Sequence, residues 1–134
     1  MFRKWFRILA LTAVMTLICS SALALEIMPR YDYTRSITCG FALEKGIAAC
    51  SGTVEPDKNE YSTNLTVRLQ EYSDGWSTIA TWSGSAGAGR IASAGGTKSV
   101  KSGVDYRVVV SGTIKDADGN VVERPSKISA TKSY

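Results

Sequence analysis

The chain contains no histidine at any of its 134 positions. Without imidazole there is no Ser-His-Asp or Cys-His nucleophile pair, and most catalytic zinc sites lose their usual ligand. Three further absences narrow the field. No block of like charge occurs, no apolar run of ~18 residues follows the first two dozen, and no stretch beyond them shows a helical apolar stripe. Catalysis would have to rest on carboxylate pairs, tyrosine, or serine with lysine. The acids offer little for that purpose, because Glu44, Asp57, Asp74, Asp116 and Asp118 all fall in turn-like stretches. Turns recruit such residues for backbone hydrogen bonding.

What is present begins with an export pattern. Arg3, Lys4 and Arg7 form a basic head, Ile8 to Cys19 an apolar run, and Ser20, Ser21, Ala22, Leu23 and Ala24 a small-residue close. This is the layout of a secretory signal peptide, with cleavage expected after Ala24 or alternatively after Ala22. Residues 1–24 are thus read as signal and 25–134 as one domain. Of 16 Lys and Arg, the three in the head would leave with the signal, so 13 basic face 12 acidic residues in the mature chain. The net charge then falls from +4 to +1, which gives no case for nucleic-acid binding. Cys19 would be lost as well, and Ile18 stands where a lipoprotein signal needs a small residue. With a polar C-terminus, the expected product is soluble, extracellular and without a membrane anchor.

The mature region has a period of two. Ile37, Cys39, Phe41 and Leu43 alternate with Ser36, Thr38, Gly40 and Ala42, and Leu65, Val67 and Leu69 alternate with Thr66, Arg68 and Gln70. Val104, Tyr106, Val108 and Val110 continue the theme. Alternate side chains of a strand share a face, so each run offers one apolar side to a core. Turn signals at Glu44-Lys45-Gly46, Glu55 to Asn59, Asp74-Gly75, Lys101-Ser102-Gly103 and Asp116 to Asn120 cut the chain at short intervals. The spacing predicts strands at roughly 33–43, 47–55, 63–72, 76–83, 90–100, 104–115 and 121–133. The fold class is all-β: a seven-stranded antiparallel sandwich of immunoglobulin or fibronectin type III kind, with an OB-like or other small barrel as the alternative. Tyr106, early in the sixth strand, occupies the place of a tyrosine corner whose hydroxyl bonds back to the preceding loop.

Two cysteines remain after export, and an even number in an exported domain suggests a disulfide between Cys39 and Cys50. A hairpin closing on Ala42 and Ile47 would set the two directly opposite each other, within the span a disulfide bridges. A three-residue loop ending in Gly46 would spoil that pairing. The aromatic residues supply the one outward-looking feature. Trp76 and Trp82 lie six apart in one expected strand and so should share a face, ~20 Å apart. They are candidate ligand-binding aromatics for a glycan or protein, with Trp82 the more exposed member; the competing reading places at least one in the core. Tyr31, Tyr33, Tyr61, Tyr72 and Tyr134 are scattered near strand ends.

Fainter signals carry less. Asp116-Ala117-Asp118-Gly119-Asn120 lacks the third oxygen ligand and the twelfth-position glutamate of an EF-hand, so it reads as a hairpin turn. The glycines at 84, 87, 89, 95 and 96 lack a G-K-[ST] ending and read as a flexible connection or a bulged edge strand. Asn64-Leu65-Thr66 matches a glycosylation triplet that matters only in a eukaryotic secretory pathway.

Taken together, Met28-Pro29-Arg30-Tyr31, the hairpin with Gly46, Ala48 and Cys50, Val67-Arg68-Leu69-Gln70 and Asp74-Gly75-Trp76 form a set. Gly103-Val104-Asp105-Tyr106-Arg107 and Asp118-Gly119-Asn120 complete it. The set resembles a family of small secreted β-sandwich proteins of Gram-positive bacteria that carry no assigned function. That resemblance implies an exported immunoglobulin-like domain and a bacterial source, and brings no catalytic residues with it. The expectation is a secreted, non-catalytic binding module without cofactor or metal, whose partner is a protein or a cell-envelope glycan. The alternatives are a small carboxylate-based glycan hydrolase and a structural subunit that assembles through exposed sheet edges.

Overall fold

The computed structural model describes residues 31–134. The expected signal peptide and its cleavage site therefore lie outside the described residues, as does Cys19. Within them the structure is all-β: β1 (Thr34–Glu44), β2 (Ile47–Pro56), β3 (Ser62–Tyr72), β4 (Trp76–Ala86), β5 (Ala92–Ser99) and β6 (Asp105–Lys115) are long. Three short segments follow, β7 (Val121–Glu123), β8 (Ser126–Ile128) and β9 (Lys132–Ser133). The strands form two antiparallel ladders rather than one closed barrel. One sheet has the order β1-β2-β5; the other has the order β4-β3-β6-β7, with β8 and β9 also paired to β6. The last expected strand is thus delivered in three pieces along one edge of β6. Pro125 explains one break: it has no N–H to give the ladder, and its carbonyl instead accepts the Gly112 amide at 2.8 Å.

The inner faces of the two sheets make one core. Val54 of β2 meets Leu65, Val67 and Leu69 of β3 and Val108, Val110 and Ile114 of β6, all fully or almost fully buried. Each such side chain contributes roughly 1.5–3 kcal/mol by leaving water. Tyr106 lies in the same core, 1% exposed, and its hydroxyl accepts the Lys101 amide at 2.9 Å. The bond back to the preceding loop is the one anticipated for this tyrosine. Glycines let the layers approach. A Cβ on Gly84 of β4 would strike the Ser93 carbonyl of β5, so the edges of the two sheets meet there. The glycines at 84, 95 and 96 accordingly belong to β4 and β5 and serve close packing rather than flexibility.

The hairpin between β1 and β2 corrects the expected cysteine pairing. Glu44 pairs with Ile47 across a two-residue loop, in which Lys45 and Gly46 have φ of 51° and 75°. Two positive φ values are what a type I′ turn requires, the connection that suits the twist of a hairpin. The register that follows sets Cys39 against Gly52 and Cys50 against Phe41. The two cysteines are diagonal rather than opposed, typically ~7–8 Å apart at this relation, beyond the usual disulfide span. Both thiols are free, and the predicted Cys39–Cys50 disulfide is not formed.

Candidate functional site

A bulge in β4 decides which aromatics can meet a ligand. Leu69 of β3 pairs with Ala80, yet the next residue, Gln70, pairs with Thr78, leaving Ile79 as the extra residue. Ile79 and Ala80 both pack against the core. One inserted residue inverts the alternation beyond it. Trp82 pairs with buried Val67, so it points inward, and its indole lies against Gly96, where any Cβ would collide with the ring. Trp76 pairs with Tyr72 and points outward. The expected shared face of Trp76 and Trp82 is therefore corrected, and so is the choice of Trp82 as the exposed member. Trp82 is half-buried and packs against the core.

Around Trp76 the register gathers residues from three strands. Thr78 of β4, Gln70 of β3 and Arg107 of β6 form one cross-strand row on the outer face of the larger sheet. The Arg107 guanidinium carbon sits 4.2 Å from the centre of a Trp76 ring, and its Nε donates to Gln70 Oε1 at 2.9 Å. Gln70 in turn donates from Nε2 to Thr78 Oγ1 at 3.3 Å. Tyr72, 53% exposed, stands edge-on to Trp76 with ring centres 5.3 Å apart. The row is thus held by a cation–π stack and two hydrogen bonds, which orient the arginine before any ligand arrives.

The next row of the same face places Arg68 between Thr81 and Val109, with Ile128 beyond it. Arg68 Nη1 makes only a long contact, 3.5 Å, to Ser111 Oγ. Among the described residues the only ion pair joins Arg35 and Glu55 at 3.6 Å, so neither Arg68 nor Arg107 is paired with a carboxylate. Further along, Ser83, Thr66, Ser111 and Ser126 form a hydroxyl row, and a shallow open depression lies among Asn64, Thr66, Ser83 and Ser85. The outer face therefore runs from aromatics, through two guanidinium groups, to hydroxyls and an amide.

Other candidate groups serve the fold. Asp116 Oδ1 accepts the amides of Asp118 at 3.0 Å and Asn120 at 2.9 Å, closing its own loop. Glu123 accepts the amides of Asp32 and Tyr33 at 3.0 and 3.1 Å and the Thr34 hydroxyl at 2.6 Å, pinning the start of β1. Burial pushes the Cys50 thiol up to about 11, with the nearby Cys39 adding to the shift, and burial also raises Cys39. Both are poor nucleophiles at neutral pH.

Sequence reasoning singled out Trp76 but not Tyr72, Gln70, Arg68 or Arg107 as its companions. Their outward position was readable from alternation within β3 and β6. That β3 lies between β4 and β6 was not, and only this order joins them. In sequence, no protein-family model matches this chain, and neither does any curated protein.

Proposed function

We propose that the protein is exported and works by binding a component outside the cell, without catalysing a reaction on it. The observation that carries this reading is the Trp76–Arg107–Gln70 row with Tyr72, a preoriented aromatic and cationic platform on an open sheet face. Aromatic and arginine side chains supply most of the energy at recognition surfaces, because they bury large areas and make directed hydrogen bonds. The basic head, apolar run and small-residue close of residues 1–24 support export. The described carboxylates with clear hydrogen-bond roles, Asp116 and Glu123, hold backbone, which favours binding over hydrolysis.

We also read the sandwich as fibronectin type III-like. The fourth strand pairs with the third rather than the fifth, and Tyr106 makes a tyrosine-corner bond, both of which suit that relative of the immunoglobulin fold. The resemblance to small secreted sandwich proteins of Gram-positive bacteria agrees with this reading.

Two experiments test the proposal. The protein recovered from culture medium should begin at Leu25, or at Leu23 if cleavage follows Ala22; recovery of the chain from the cytosol with its first residues intact would contradict export. Purified mature protein should be retained by envelope preparations of its host, and Trp76→Ala should weaken retention roughly tenfold or more while melting like the parent. Equal retention of parent and variant removes the platform from the account.

A further inference from the structure

We propose that the ligand of this platform is an acidic polysaccharide, a glycan chain carrying oxyanion groups, whose charge is read by Arg68 and Arg107. The inference rests on the binding role argued above and adds the chemistry of the partner. Arg68 and Arg107 are diagonal neighbours on adjacent strands, a relation that places Cα atoms ~7–8 Å apart. Arg107 uses Nε on Gln70 and one face on Trp76, and among the described residues its terminal N–H groups have no hydrogen-bond partner. Both arginines are half-buried residues, and among the described residues neither has a carboxylate within ion-pair distance. Two like charges held side by side without a counterion are complementary to an anion, and a guanidinium matches an oxyanion in shape as well as charge.

The remainder of the face distinguishes a glycan from other anions. A protein partner would call for an apolar centre with a polar rim. Here the apolar groups are dispersed: Trp76 and Tyr72 lie at one end, Val109 and Ile128 stand singly beside Arg68, and guanidinium groups, hydroxyls and an amide make up the rest of the face. From Tyr72 to Asn64 along β3 the face extends roughly 26 Å at ~3.3 Å per residue, and its depression among Asn64, Thr66, Ser83 and Ser85 is shallow and open. Sugar rings present apolar faces to aromatics and a dense set of hydroxyls to polar side chains. An acidic chain laid along β3 would therefore meet the indole, the guanidinium pair and the hydroxyl row in turn.

Four soluble polymers separate the contributions: polygalacturonate (carboxylate), dextran sulfate (sulfate ester), galactan (neutral sugar) and polyphosphate (oxyanions without sugar rings). Titrations of the mature protein followed by tryptophan fluorescence should show at least one of the two acidic glycans bound roughly tenfold or more tightly than galactan and polyphosphate. The tighter of the two identifies which oxyanion is read. R68Q and R107Q should each weaken that binding roughly tenfold, with unchanged melting, and added salt should weaken it further. Galactan bound as tightly as the acidic glycans, or R68Q and R107Q both binding like the parent, overturns the inference while Trp76-dependent envelope retention still upholds the platform. Polyphosphate bound as tightly as the glycans reduces the site to charge and overturns it too. If no polymer binds, the ligand is of another class and the inference fails; loss of the Trp76→Ala effect on envelope retention would remove the platform itself.

Discussion

At the scale of single residues, much of the chemistry that looks available is committed to the fold. Cys50 is buried, and its thiol titrates near 11 rather than the ordinary 9.0, chiefly because burial disfavours the thiolate. The unfolded chain loses that proton at a lower pH than the folded one. The contribution to stability is therefore fully present below about 9 and disappears as pH rises to about 11. Urea unfolding of Cys50→Ala should show a shallower fall in stability across this window than the parent; parallel curves would contradict the assignment. Because both thiols are free, dithiothreitol should leave the melting temperature unchanged. Tyr106→Phe deletes the acceptor of the Lys101 amide and should cost about 1–2 kcal/mol, read as a lower urea midpoint at unchanged slope. Glu123→Ala frees three donors at the start of β1 and should cost about 1–3 kcal/mol, with early hydrogen exchange at Asp32 and Tyr33.

At the scale of elements, the long strands and their turns were legible because both signals are local. Alternation marks the inward side of β1, β2, β3 and β6, and Asp74-Gly75 or Gly103 marks where a chain reverses. Three features were not legible, for different reasons. The hairpin register depends on whether the reversal uses two residues or four. A closure on Ala42 and Ile47 opposes the two cysteines, whereas the two-residue loop found puts Lys45, a non-glycine residue, in the left-handed region and shifts them to a diagonal relation, and nothing in Glu44-Lys45-Gly46 announces that choice. The bulge at Ile79 sits in Ser77-Thr78-Ile79-Ala80-Thr81, where small and polar residues give no clear alternation to interrupt. Its consequence, Trp82 inside and Trp76 outside, appears only once β4 is laid against β3. The breaks in the last strand follow from Pro125, whose effect was readable in principle. The glycines of β5 make a further element-scale prediction. Gly96→Ala pushes a methyl into the Trp82 indole and should cost about 1–3 kcal/mol, whereas Gly87→Ala, with open space around it, should be nearly neutral. Similar melting of the two variants would show that Trp82 does not rest on Gly96.

At the scale of the whole molecule, the two sheets divide the labour. The shared interior supplies stability, and the outer face of the larger sheet presents the platform. That face is assembled from β4, β3 and β6, strands whose relevant residues lie as far apart in sequence as Arg68 and Arg107. No local motif could announce it. The absence of histidine narrows the catalytic options, and the proposed binding role rests on the stacked arginine and indole. The most direct test is nuclear magnetic resonance of labelled mature protein titrated with oligomers of whichever acidic glycan, polygalacturonate or dextran sulfate, binds more tightly. The Trp76 indole, the Arg107 guanidinium and the Gln70 amide should shift together while the Trp82 indole stays put. Shifts confined to the outer face of β1, β2 and β5, with Trp76 and Arg107 unmoved, would contradict the proposed platform.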